Sequence, residues 1–140
     1  MRNQIQAAND ATYEGWCAHD ADAVAGVFAQ DAVAYDVGNP EPIRGRDAIR
    51  RRTADVMAAF PDFRLERLVL LIDGDMNSDR WRATGTHDGA AFMGIEPSGR
   101  AIDVEGASFS WFDADGLVVK DVHHWDVPTL LTQLGVLPGG

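Results

Sequence analysis

The feature that most constrains this chain is a change of periodicity at Pro61. Before it, apolar residues recur at helical spacing. After it, they form strand-like runs separated by Gly, Pro and Asp turns. Helices first and a long antiparallel meander afterwards specify an α+β domain, with helices stacked on one face of a curved sheet. If the sheet curls, a cavity forms between the two layers.

In the helical half, Ile5, Ala8, Ala11, Thr12 and Trp16 share one face of a helix from about Asn3 to His19. Asp20 caps a short second helix with the stripe Val24, Val27 and Phe28. A strand is predicted over Ala32–Val37. A loop follows at Gly38–Pro42, where two prolines and a glycine exclude regular structure. A third helix from about Asp47 to Phe60 stops before Pro61, which disfavours helix in the preceding residue.

In the strand half, the spacing predicts strands over Arg64–Ile72, Arg80–His87, Ala101–Phe112 and Leu117–Trp125. Asp73-Gly74-Asp75 and Asp113–Gly116 are the turns. A closing helical turn runs from Thr129 to Leu134 and ends at Gly135. The run Leu68–Ile72 is apolar at every position, so both faces of that strand are expected to be covered. The helices cover one face and a second subunit the other. Phe109 and Trp111, on one side of another strand, support the same homodimer. The loop Asp88–Arg100 holds Phe92, Met93 and Ile95, which are expected to fold over the mouth of the cavity.

Composition narrows the partners. The 140 residues fit one domain spanning 1–140. Cys17 is the single cysteine, so no intramolecular disulfide can form and a reducing compartment is expected. No apolar run approaches the ~20 residues needed to span a bilayer, and the N-terminus lacks the apolar core of a signal peptide. A cytoplasmic protein without membrane association is the expectation. Twelve basic against 22 acidic residues give a net charge of −10, which disfavours nucleic acid as a partner. The one basic cluster, Arg44 to Arg52, is interleaved with Asp47 and reads as a solvated helix face.

Two segments can carry chemistry. Asp36 ends a short strand before a Pro/Gly loop. There a carboxylate either projects into a cavity as a general base or caps the loop through backbone N–H groups. In Lys120–Asp126, strand parity places Asp121, His123 and Trp125 on one face, with His124 opposite. Asp121 is close enough to orient the His123 imidazole, although His123 can equally be an ordinary polar residue of the sheet surface. No metal site is expected, because His123 and His124 point to opposite faces and His19 and His87 lack partners at a ligand spacing. Cys17, beside Trp16 near a helix end, reads as a small buried residue rather than a nucleophile. No phosphate-binding glycine loop is present.

The segments Val33–Asp36, Gly38–Ile49, Ala59–Asp62, Gly85–His87, Pro97–Arg100 and Asp115 through Gly135 together resemble the SnoaL-like polyketide cyclase branch of the nuclear-transport-factor-2-like superfamily. The resemblance runs over nearly the whole chain. It implies a cone of curved sheet wrapped around N-terminal helices, with a deep apolar pocket. Ketosteroid isomerase, scytalone dehydratase and limonene epoxide hydrolase share that fold, so fold alone fixes little about substrate. By the resemblance, Asp36 matches the general base of ketosteroid isomerase. Thr12 falls where that enzyme has its helix tyrosine, with Tyr13 one place away, and Ser108 falls where it has its protonated aspartate. His123 occupies the place of the catalytic aspartate of SnoaL-like cyclases, a departure from their pattern.

Taken together, sequence and resemblance predict an enzyme that needs no cofactor and acts on a neutral, largely apolar small molecule. Asp36 and His123, facing each other across the cavity, form its acid/base pair and Asp121 orients His123. Tyr13, Trp16, Phe92, Met93, Ser108 and Trp125 shape the substrate pocket, with Arg82 and His87 as further candidates. Epoxide opening or dehydration is the rival chemistry, with Asp36, Asp121 and Arg82 as its groups. A ligand-binding or assembly module without turnover is the rival of another class.

Overall fold

The structure is a computed structural model, and residues 1–138 are described. Three helices precede most of the sheet: α1 (Arg2–Cys17), α2 (Ala21–Ala25) and α3 (Arg46–Ala59). The strands are β1 (Phe28–Asp36), β2 (Ile43–Arg44), β3 (Arg64–Asp73), β4 (Met76–Thr86), β5 (Ala101–Phe112) and β6 (Val118–Trp125), followed by α4 (Val127–Gln133). They form one six-stranded sheet in the order β2-β1-β6-β5-β4-β3. All neighbours are antiparallel except β1 and β6, which run parallel. Register shifts in the β1–β6, β3–β4 and β5–β6 pairings bend the sheet around the helices. This is the curved α+β architecture that the periodicity change predicts, and the parallel β1–β6 pair makes the otherwise antiparallel sheet mixed.

Local chemistry sets the ends of the elements. The Asp20 carboxylate caps α2 by accepting from Ala23 N, and Asp126 caps α4 by accepting from Thr129 N. Gly45 precedes α3 with φ 89°, a conformation that favours glycine. Arg46 then fastens the start of α3 to β1 by donating twice to the Phe28 carbonyl.

Besides the short β2, which the spacing does not predict, three elements differ from expectation. β1 starts at Phe28 rather than Ala32, because Phe28 joins the sheet opposite Val118 instead of extending α2. β4 starts at Met76 rather than Arg80. Its first turn of sequence is polar, yet Asn77 and Asp79 point inward and are buried. β3 is an edge strand, and in the isolated chain Leu68, Val69 and Leu71 of the apolar run stay exposed. Leu71 shares a cross-sheet row with Ser78 and Phe109, so the outer face of the sheet carries an open apolar strip.

The core has two buried groups. One gathers Phe60, Phe63, Val104 and Leu134; the other gathers Ile5, Phe28, Ile49 and Phe112. The cavity between sheet and helices takes its walls from both.

Candidate active site

Strand parity decides what faces the cavity. On β6, Asp121, His123 and Trp125 face inward, together with Ala34 and Asp36 of β1, Trp81 and Ala83 of β4, and Ser108 of β5. From the helices, Tyr13 and Trp16 of α1 and Arg52 and Thr53 of α3 complete a largely apolar cavity of about 190 Å³. Asp36 and His123 are paired residues on the adjacent strands β1 and β6, so they lie side by side rather than across the cavity from each other. They also border a second recess beneath the loop of residues 37–42.

Asp36 has two unlike oxygens. Its Oδ1 accepts from the Trp125 indole Nε1 at 2.8 Å and from Gly38 N at 2.7 Å. Among the described residues its Oδ2 has no hydrogen-bond partner, and it lies 3.9 Å from an Arg52 guanidinium nitrogen. Gly38 allows this arrangement: a Cβ there would sit 2.5 Å from Trp125 Cζ2 and 3.2 Å from Asp36 Oδ1. The Arg52 guanidinium also lies over the Phe92 ring, 5.4 Å from its centroid.

His123 is bonded at both nitrogens. Nε2 lies 2.8 Å from Asp121 Oδ2, and Nδ1 lies 2.6 Å from Ser108 Oγ. Ser108 Oγ in turn accepts from Trp81 Nε1 at 2.9 Å. The Trp81 indole lies across Gly106, where a Cβ would come within 2.4 Å of it. The second oxygen of Asp121 accepts from Ser110 Oγ at 2.6 Å. Burial alone would lower the His123 pKa. The charge and hydrogen bond of Asp121 outweigh it, and with Asp36 and Asp79 they raise it to about 9. His123 is therefore an imidazolium at neutral pH.

A second polar cluster backs the site. Tyr13 Oη donates to Asp79 Oδ2 at 2.5 Å, and Asn9 Nδ2 donates to the same oxygen at 3.3 Å. Arg67 holds Asn9 and Asp10 from the other side. Burial pushes the Asp79 carboxyl above the ordinary carboxylate value. Burial and the Asp79 charge push the Tyr13 hydroxyl well above its own.

Of the residues singled out in the sequence, Tyr13, Trp16, Asp36, Phe92, Ser108, Asp121, His123 and Trp125 line the cavity. Three do not. Arg82 is on the outer face, one residue out of phase with Trp81 and Ala83, and forms an exposed two-bond pair with Asp103. His87 is fully buried behind the wall, packed on Phe60 and bonded to the Ala90 carbonyl. Met93 is exposed at the tip of a tight turn. Phe92 and Ile95 exchange both backbone hydrogen bonds, and Met93 and Gly94 between them have φ 53° and 75°. Phe92 and Ile95 therefore turn inward to the core and Met93 outward. Arg52 and Thr53 are among the lining residues that sequence reasoning missed. With Ile49 and Val56 they follow i, i+3, i+4, i+7 spacing, a signal that marks one helix face. Among the described residues, no three His, Cys, Asp or Glu side chains group to hold a metal ion, and no helix is long and apolar enough to cross a membrane.

The same fold occurs in solved structures. IdmH from Streptomyces antibioticus, described as a candidate polyketide cyclase, is 28% identical; 95% of this chain aligns with 99% of that one, at a TM-score of 0.78. AclR from Streptomyces galilaeus, described as a candidate hydroxylase, is 25% identical over 99% of this chain and 85% of that one, at a TM-score of 0.84. A candidate SnoaL-like polyketide cyclase from Jannaschia sp. CCS1 shares the fold at 23% identity, covering 97% and 94% of the two chains with a TM-score of 0.84. Among curated proteins none matches the sequence. The family model for the SnoaL-like polyketide cyclase matches residues 6–134. With that match over nearly its whole length, the chain belongs to the SnoaL-like polyketide cyclase family.

Proposed function

We propose that the protein is an acid/base enzyme of the cyclase/isomerase type, acting on a neutral, largely apolar carbonyl compound. The observation that carries this reading is the pairing of Asp36 and His123 at one wall of an otherwise apolar cavity. Asp36 Oδ2, free of hydrogen bonds among the described residues, serves as the base that takes a proton from carbon next to the carbonyl. The His123 imidazolium supplies the positive charge that the resulting enolate needs, and Arg52 supplies a second. Asp121 orients His123 and keeps it protonated. Ring closure or a double-bond shift follows from the enolate. Proton transfer of this kind is within the capacity of these side chains alone.

The test begins with the ligand that stays bound through purification, identified by native mass spectrometry and then assayed for turnover. Asp36→Asn keeps the shape of the side chain and removes the base, so kcat should fall by about 10²–10⁴. Wild-type turnover by that variant refutes the reading.

Epoxide opening is the second reading, and Arg52 favours it. That chemistry asks for a cation beside the carboxylates that activate water, and Arg52 next to Asp36 fills the role that Arg82, on the outer face, cannot. Oxygen-18 from water appears in the product of an epoxide opening and is absent from the product of an isomerisation.

A further inference from the structure

An enolate in this cavity needs a hydrogen-bond donor, and most of the donors in the wall are already committed. Thr12 and Thr53 donate to the carbonyls of Ala8 and Ile49, one turn back in their own helices. Tyr13 donates to Asp79, Trp125 to Asp36 and Trp81 to Ser108. Among the described side chains of the wall two donors are left: the guanidinium of Arg52 and the hydroxyl of Ser108.

The hydroxyl of Ser108 is available only in one state of its neighbour. A serine hydroxyl has one proton and two lone pairs. When His123 is an imidazolium, Nε2–H donates to Asp121 and Nδ1–H donates to Ser108 Oγ. With the Trp81 N–H on the other lone pair, both acceptor positions of Ser108 are filled and its proton has to find a partner elsewhere. Ser108 lines the cavity, which can supply that partner. When His123 is neutral, Asp121 retains the Nε2–H, Nδ1 becomes an acceptor, and Ser108 turns its proton back toward the ring.

We propose that the Ser108 hydroxyl is the donor that meets the oxyanion in this cavity, and that the protonation state of His123 switches it on and off. The proposal rests on the acid/base reading for the oxyanion's origin, but the switch belongs to the resting site. The charged and titratable groups facing His123 are Asp121 on its own strand, Asp36 from β1 and Asp79 from β4. Tyr13 of α1 bears on Asp79 and Arg52 of α3 bears on Asp36. An arginine side chain is not deprotonated in proteins, so any contribution of the guanidinium to anion binding does not follow the titration of His123.

The probe is 4-nitrophenolate, a planar oxyanion whose visible absorbance reports binding. Its affinity is measured for the wild type, Ser108→Ala and Ser108→Thr, one pH unit below and one above the His123 pKa of about 9. Below it, Ser108→Ala should bind roughly 10- to 100-fold more weakly than the wild type, as expected for a lost hydrogen bond to a charged group. Above it, the two should converge. Ser108→Thr keeps the hydroxyl and should keep the pH-dependent advantage, which separates a lost donor from a disturbed cavity. Equal affinities below the pKa, an Ala-to-wild-type ratio that is the same at both pH values, or failure of the wild type to bind the phenolate would each overturn the proposal. A Ser108→Ala variant that binds normally while turnover still requires Asp36 refutes the switch and leaves the acid/base reading standing. The reverse result refutes only that reading.

Discussion

Replacing Asp121 by Asn should return His123 to titration near neutrality. In the wild type, Asp121 Oδ2 lies 2.8 Å from Nε2, and the imidazole pKa is held at about 9 against its ordinary 6.5. That difference corresponds to about 3 kcal/mol in favour of the protonated folded state. Burial opposes it, so the nearby carboxylates supply more than the net effect. An opposite charge at this range moves a pKa by about 1–3 pH units. Asp121→Asn should therefore bring His123 down to roughly 6–8, with Asp36 and Asp79 limiting the fall. The assay is an NMR titration of the His123 ring protons in both proteins. The same pair gives a stability test. A raised pKa in the folded state contributes stability that is fully present below 6.5 and is lost as pH rises through about 9. The wild type should accordingly lose up to about 3 kcal/mol of this contribution across that window in urea unfolding, and the variant far less. A His123 pKa that stays near 9 in Asp121→Asn would refute the reasoning.

Gly38→Ala should cost about 1–3 kcal/mol and lower turnover, because its Cβ meets the Trp125 ring at 2.5 Å and pushes the indole off Asp36; urea unfolding and a steady-state assay of the variant check both. Arg82→Ala should leave kcat and KM unchanged, since its partner Asp103 and its position are on the outer face. We also predict a homodimer through the outer sheet face, where Leu71 and Phe109 share a row and Leu68 and Val69 lie exposed. Light scattering should give twice the chain mass for the wild type and the single chain mass for Leu71→Glu; a monomeric wild type at micromolar concentration contradicts this.

Much of the fold is readable from periodicity because most elements bury what the pattern assigns to them. The helix face that begins at Ile5 and the turns at Gly74 and Gly116 appear where the spacing places them. Strand parity groups Asp121, His123 and Trp125 on one face, and the family resemblance turns that face to the cavity they line. The start of β4 is hidden because Asn77 and Asp79 reverse the usual rule, placing polar groups inward. The partners of Asp79 come from α1, some 66 to 70 residues away in sequence, so no local pattern can announce the cluster. Arg52 is lost among its neighbours. Arg50 pairs with Asp22 at the surface while Arg52, two residues on, turns inward toward Asp36. Charge composition reads the three arginines alike, and only the helix phase set by Ile49 and Val56 separates them. The facing of Arg82 depends on the phase of β4, which its inward polar residues Asn77 and Asp79 conceal.

The claim at the centre of this account is that Asp36 removes a proton from carbon in the cavity beside a protonated His123. Deuterium exchange tests it most directly. A panel of planar cyclic ketones is incubated with the protein in heavy water, and incorporation next to the carbonyl is followed by proton NMR. The wild type should catalyse exchange on at least one member, and Asp36→Asn should slow it by about 10²–10⁴. Exchange at the same rate with and without the Asp36 carboxylate would contradict the account.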